Sequence, residues 1–249
     1  MDYIKHFAQN PSEYLQYRPD YPVALFEYLA GLCEYRKLAW DCGTGNGQAA
    51  IALAGYFRKV VASDVNQESL NIALQNDNIS YHCWPAEQTE LEDASVDLVT
   101  VAQALHWFDL DSFYAEARRV AKPHGIIAAW CYSLGSMTPA IDKAVQKLYH
   151  DILGDAYWPK ERRYIDVGYK TISFPYKKIK SPTFEAHKNF QMSALIGYLH
   201  TWSAVKEYQL KHEQDPVSLI LPEIKAAWGE PDNTYTMRWP IHLLVGKLR

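Results

Sequence analysis

Short apolar runs alternate with amphipathic stretches through the first half of the chain, and the alternation predicts an order of elements. "KLAWDC" (37–42), "KVVASDV" (59–65), "ISYHCW" (79–84), "VDLVTVA" (96–102) and "GIIAAW" (125–130) read as strands. Between them, "GQAAIALAGYF" (47–57), "NQESLNIALQN" (66–76) and "DSFYAEARRVAK" (111–122) read as helices, with Leu70, Ala73 and Leu74 of the second at helical spacing. Strands joined through such helices need crossovers, so a doubly wound α/β fold is expected, its sheet mostly parallel with helices on both faces.

Past Trp130 the pattern changes. Thr138 before Pro139 reads as a helix cap with proline in the first turn; Ile141, Val145, Leu148 and Ile152 share a face, and Gly154 is the stop. Residues 155–190 are dense in Tyr, Lys and Pro and read as irregular structure with one or two strands. "SALIGYLHTWSAVKEYQ" (193–209) and "DPVSLILPEIKAAWG" (215–229) read as helices, the second interrupted at Pro222. "YTMRWPIHLLVGKL" (235–248) closes as a strand with an irregularity near Pro240. A single domain over 1–249 is expected, with a covering segment (1–30), a ligand-binding core (37–133), a helical cap over the sheet's carboxyl edge (134–230) and the closing strand (235–248).

With 249 residues, 48% of them hydrophobic, the chain can bury a sizeable core. A net charge of −4 gives no global attraction to nucleic acid or anionic membrane, and neither is expected as a partner. Cys33, Cys42, Cys83 and Cys131 show no CxxC pairing, and the apolar contexts of Cys42 and Cys83 suit buried free thiols rather than disulfides or metal ligands. No secretory leader and no membrane-length apolar run is read from the sequence, so a cytoplasmic protein is expected, monomeric or weakly dimeric.

The chemistry concentrates at "WDCGTGNGQAA" (40–50), where Gly43, Gly45 and Gly47 follow Asp41 across the first strand–helix turn. In an open α/β sheet that turn is the usual ligand site, because glycine lets the backbone approach closely. A dinucleotide turn would place glycine three beyond the second one, where Gln48 stands, and Asp41 would repel a pyrophosphate. A ligand carrying an ammonium group suits that carboxylate better. Asp64 ends the second strand at the offset where an acid accepts ribose hydroxyls.

"DCGTGNG", "SDV", "PAEQTELEDASVDLVTVAQALHWF" and "ARRVAKPHGIIAAW" resemble, in order, the motifs of class I S-adenosylmethionine-dependent methyltransferases. "YLQYRPDYP" (14–22), "HWF" and "HTWSAVKEY" (200–208) make the chain similar to the small-molecule branch that includes trans-aconitate methyltransferase-like proteins. The resemblance implies a Rossmann-like sheet and S-adenosyl-L-methionine as cofactor. It implies that Gly43, Thr44 and Gly45 lie along the methionine moiety with Asp41 near its ammonium, and that Asp64 holds the ribose. Val65 would pack on the adenine, Ala86 and Glu87 would meet its edge, and Gln103 would offer backbone near the sulfonium. Tyr14 and Arg18 would fold over the cofactor, Arg18 reaching its carboxylate.

A sulfonium methyl needs an aligned nucleophile and exclusion of water; a base is needed only for an acceptor that arrives protonated. Trp107 is expected to wall the methyl and His106 to bind the acceptor or act as base, while Tyr132, Trp158 and Trp202 are expected to line the acceptor pocket. Lys160, Arg162 and Arg163 read either as part of a lid over an anionic acceptor or as a solvated loop. "AQALHWF" stands where amino-group methylating relatives carry an asparagine–proline–proline–aromatic stretch, which favours oxygen or carbon as the methylated atom. The leading expectation is therefore O-methylation of a carboxylate or hydroxyl on a small molecule. The alternatives are an RNA or protein acceptor, a nucleotide-binding oxidoreductase, and a non-catalytic S-adenosylmethionine-binding module.

Overall fold

The computed structural model describes residues 17–248; Tyr14 lies outside them. Strands β1 (Leu38–Cys42), β2 (Lys59–Ser63), β3 (Ile79–His82), β4 (Val96–Ala102), β5 (Ala121–Tyr132), β6 (Phe184–Phe190) and β7 (Tyr235–Lys247) form one sheet in the order β3-β2-β1-β4-β5-β7-β6. The first five run parallel, and β7 inserts antiparallel between β5 and β6. Strand order therefore reverses between β1 and β4, so the crevice above those two strands is where a ligand belongs.

The period of two along each strand feeds two separate cores. In β5, Ile126, Ala128, Trp130 and Tyr132 enter one layer, while Ile127, Ala129 and Cys131 enter the other. The first layer is covered by α1 (Val23–Leu32), α2 (Gln48–Ala54) and the C-terminal helices; the second by α4 (Leu110–Val120) and by Ile165, Tyr169, Ile172 and Tyr176. Part of the 155–180 stretch is thus core, not a solvated loop. The fold is doubly wound, Rossmann-like α/β.

Boundaries differ from the sequence reading where a local interaction overrides the apolar spacing. The helix expected over 66–76 ends early: α3 covers Gln67–Asn71, and the Leu74 N–H donates instead to the Asn46 carbonyl at 3.1 Å. After Thr138 caps α5 (Pro139–Gln146), the helix widens into a π-helical stretch, Lys147–Leu153, before the short α6 (Gly154–Tyr157). The irregular region that follows holds one more short helix, α7 (Arg162–Asp166). The single helix expected over 193–209 is two, α8 (Met192–His200) and α9 (Ser203–His212). The stretch expected to be helical over 215–229 is interrupted at Pro222 as expected: a 3-10 turn, Pro216–Leu219, gives way at Ile220 to α10 (Leu221–Trp228), and Pro222 sits in the first turn of α10, where its missing N–H costs nothing. Pro240 is tolerated in β7 because β5 pairs only from Ile241 onward, so one edge is open there. Cys42 and Cys131 are buried free thiols, whereas Cys83, expected to be buried, is exposed just past the edge strand β3.

Candidate active site

The glycine turn joins β1 to α2 with left-handed backbone at Gly43 (φ 66°) and Gly45 (φ 56°). A side chain on Gly43 would place its Cβ 2.6 Å from the Ala104 Cβ, so glycine there lets the loop after β4 close against the turn. At Gly45 a Cβ would meet nothing within 4 Å; that backbone faces open space. The space is a cleft walled by Gly43, Thr44, Gly45, Asp64, Val65, Ala86, Glu87, Gln103 and Trp107, all expected from the sequence.

Asp41 is not on that wall. Its strand position turns it under α2, where one carboxylate oxygen accepts from Thr44 Oγ1 at 2.6 Å and the other from Thr100 Oγ1 at 2.8 Å. Burial raises its pKa to about 6, against the pull of both hydroxyls, with a smaller rise from Asp64. Asp41 therefore fixes Thr44 instead of facing a ligand. Asp64 does line the cleft, and it bridges two backbone donors, Gly45 N–H at 2.8 Å and Asn66 N–H at 2.9 Å. Burial raises its pKa as well, with those N–H groups opposing. Glu87 accepts from the Asp109 N–H at 3.0 Å, tying the loop after β3 to the start of α4.

Asn46, Gln48, Asn66, Ser69, Trp84, Phe108 and Tyr21 also line the cleft; the sequence reading gave none of them a role in the site. Asn66 had a visible signal, since it caps α3 by accepting from Glu68 N–H and Ser69 N–H. That cap uses its oxygen and leaves Nδ2 over. Asn66 Nδ2, Gln48 Nε2 and Gln103 Oε1 are buried with no hydrogen-bond partner, and all three residues face this cleft. Gln103 also carries a left-handed backbone (φ 57°), held by its N–H donating to the Trp130 carbonyl at 2.9 Å.

The turn after Gln103 separates His106 from Trp107. Trp107 faces the cleft, but His106 points into the second core layer, where its Nδ1 pairs with the Tyr169 hydroxyl at 2.9 Å and the residue is 8% exposed. Burial, reinforced by the Arg162 charge, lowers its pKa to about 3. This corrects the expected role: a neutral imidazole behind the wall neither meets an acceptor in the cleft nor serves as its base.

Tyr132, Trp158, Trp202 and Arg18 are off the cleft wall and belong to an adjoining circuit of contacts. Arg162 lies 4.8 Å over the Trp158 ring, Trp158 stands 5.5 Å from Trp202, and Trp202 5.8 Å from Tyr198. Arg18 lies 5.3 Å over the Tyr198 ring and donates to the Tyr132 hydroxyl at 3.3 Å and the Thr201 carbonyl at 3.3 Å. Gln103 Nε2 reaches the Tyr132 carbonyl at 3.4 Å, returning the circuit to the cleft. Tyr132 and Trp202, only 4% and 3% exposed, back this region and do not surface it.

A family model described as a methyltransferase domain matches residues 40–129. A Dictyostelium discoideum protein named as a methyltransferase is 36% identical, with 97% of this chain and 94% of that protein covered. A solved structure from Anaeromyxobacter dehalogenans, named as a type II methyltransferase, is 42% identical with a TM-score of 0.87, over 93% of this chain and 98% of its own. The chain belongs to the class I S-adenosylmethionine-dependent methyltransferases. A Saccharomyces cerevisiae protein named as an S-adenosylmethionine-dependent methyltransferase matches at 28% identity over 49% of this chain and 45% of its own length. Membership removes the oxidoreductase alternative raised by the glycine turn. In this methyltransferase the matched segment ends at Ala129, so it spans the whole cleft wall apart from Tyr21 and stops before all of the circuit except Arg18 and Gln103, which lie outside and inside it respectively. Among the described residues no helix is long and apolar enough to cross a membrane, and no cluster of His, Cys, Asp or Glu could hold a metal ion.

Proposed function

We propose that this methyltransferase takes S-adenosylmethionine into the cleft above the glycine turn and directs its methyl to an oxygen of a small-molecule acceptor. The observation that carries the reading is the trio of unpartnered buried atoms on Gln48, Asn66 and Gln103. Left unmet, each costs about 1–3 kcal/mol; a ligand with ribose hydroxyls and an amino-acid end offers groups that meet them. The open face of Gly45 gives the methionyl chain a path along the backbone, Asp64 takes the ribose, and Val65 packs on the adenine with Ala86 and Glu87 at its edge.

Bound there, S-adenosylmethionine supplies an activated methyl, whose transfer breaks its bond to sulfur and leaves the electron pair on that sulfur. The chain's own task is then alignment and exclusion of water. Trp107 and Gln103 line the same cleft as Asp64 and Val65, and on this reading Trp107 screens the acceptor. Among the described residues that line the cleft there is no histidine, lysine or cysteine, and its carboxylates are largely engaged. His106 faces away, and both oxygens of Asp64 and one of Glu87 already accept backbone N–H groups. An acceptor that arrives ionised fits this arrangement, and that favours a carboxylate over a hydroxyl.

Titration calorimetry with S-adenosylhomocysteine tests the donor site. Micromolar binding is expected for the native chain, with at least a tenfold loss (~1.4 kcal/mol) in Asp64→Ala. No binding to the native chain would overturn the proposal.

A further inference from the structure

Of the three basic residues between 160 and 163, Lys160 and Arg163 are exposed, while the Arg162 side chain is turned inward and only 18% exposed. Its helix, α7, packs directly on the turn that carries Trp107. The guanidinium is held with unusual care. Nε donates to the Tyr149 hydroxyl at 2.6 Å and to Asp166 Oδ1 at 3.3 Å, and Tyr149 in turn donates to the same Asp166 oxygen at 2.6 Å. Its flat faces are used too: the guanidinium carbon lies 5.2 Å from the Tyr149 ring centre and 4.8 Å from that of Trp158. Tyr149 itself comes from the π-helical stretch, a distortion that often marks functional positions.

What remains is the outer edge. Nη1 and Nη2 have no partner among the described residues. Asp166, at the Nε end, is 43% exposed and offsets the charge only in part. The uncompensated charge is felt by its buried neighbours, since it pushes the pKa values of His106 and of the Cys131 thiol downward against the effect of burial on the latter. An arginine with its faces stacked, its Nε anchored and its terminal nitrogens open presents two parallel donors in one plane, the geometry a carboxylate matches.

We propose that Arg162 is the anion anchor of the acceptor site, pairing edge-on with a carboxylate of the acceptor while the acceptor's apolar body lies against Trp158. This rests on the neighbouring cleft being the methyl-donor site. Tyr149 and Asp166 are positioning residues, acting through Arg162. Asp166 also competes with the acceptor for the guanidinium charge, so removing its charge strengthens the pairing.

The test is equilibrium binding, read by tryptophan fluorescence on the full chain saturated with S-adenosylhomocysteine. The probes are benzoate, cinnamate and indole-3-acetate, each paired with its neutral amide. At least one acid is expected to bind ten times more tightly than its amide. In Arg162→Gln that preference should collapse, and in Asp166→Asn it should increase. Equal binding of acid and amide in every pair, or an undiminished preference in Arg162→Gln, overturns the assignment. If Arg162→Gln has lost S-adenosylhomocysteine binding through misfolding, Asp166→Asn decides, and an unchanged preference there overturns it. Failure of S-adenosylhomocysteine to bind the native chain would instead sink the donor-site reading, and this one with it.

Discussion

The glycine-turn cleft and the aromatic circuit meet near the turn bearing His106 and Trp107, yet they are built on different principles. Apart from Tyr21, the cleft wall comes from residues between Gly43 and Phe108, mostly from the loops that follow β1 to β4. It is a backbone site: left-handed glycines, N–H groups on Asp64, and side-chain amides left without partners. The circuit gathers Arg18, Tyr132, Trp158, Arg162, Tyr198 and Trp202 from distant parts of the chain, and it consists of ring faces and guanidinium planes. On the proposed reading, a cofactor shared by many enzymes would be held by geometry the chain makes locally, and an acceptor particular to one enzyme would be met by side chains that can be exchanged without disturbing that geometry.

Breaking the local geometry should have the largest effect. Gly43→Val would drive a branched side chain into Ala104 and Phe108 from a left-handed backbone. A loss of about 2–5 kcal/mol, from strain and overpacking together, is expected. Thermal unfolding and S-adenosylhomocysteine titration should both report it. If the variant melts and binds like the native chain, the cleft is not the rigid, backbone-built site described here.

The pH dependence of stability sharpens the contrast, because a buried titratable group in one region acts with the opposite sign to a buried titratable group in the other. Under the cleft, Asp41 has a folded-state pKa raised to about 6 from 3.8. The folded state therefore takes up a proton first, so Asp41 adds stability as pH falls from about 6 toward 4. Under the circuit, His106 has a folded-state pKa lowered to about 3 from 6.5. The unfolded chain takes up that proton first, so the stability His106 confers is complete above pH 6.5 and drains away as pH falls toward 3. In denaturant titrations across this range, His106→Asn should flatten the acid loss and Asp41→Asn should deepen it. Parallel profiles for the two variants would show that these groups do not titrate as their burial demands. In the same His106→Asn variant, the pH–rate profile between pH 6 and 8 should keep its shape.

The smallest effect belongs to a contact outside both regions. Lys147 and Glu223 pair at 2.6 Å with both side chains nearly half exposed. Glu223→Gln should change stability by less than about 0.5 kcal/mol and leave both regions untouched, measured by chemical denaturation. A larger loss would mean that the helices joined by this pair are coupled to the sites.

Much of the cleft was legible because the residues that build it announce their backbone needs. Gly43 and Gly45 sit where the chain must turn left-handed, and Asp64 directly follows β2 and lines the cleft. The assignment of His106 failed for a simple reason. In a turn with three residues per turn, neighbours point about 120° apart. The sequence "LHW" does not say which of His and Trp meets the cleft and which meets Tyr169. Asp41 failed similarly, because its partners Thr44 and Thr100 are on different elements. Arg162 was visible only as one of three bases, and its inward turn depends on Tyr149 and Trp158 being in place.

By itself, then, the sequence determined the parallel core, the glycine turn, the acid beside it and the family, since each rests on periodicity or on backbone demands that neighbouring residues impose. The tertiary structure decided which way His106 and Asp41 face, which side-chain amides are left unpaired, and that Arg162 stands against Trp158. Those facts depend on contacts between residues far apart in the chain, and no local pattern encodes the rotation of a side chain toward a partner that folding has yet to bring near.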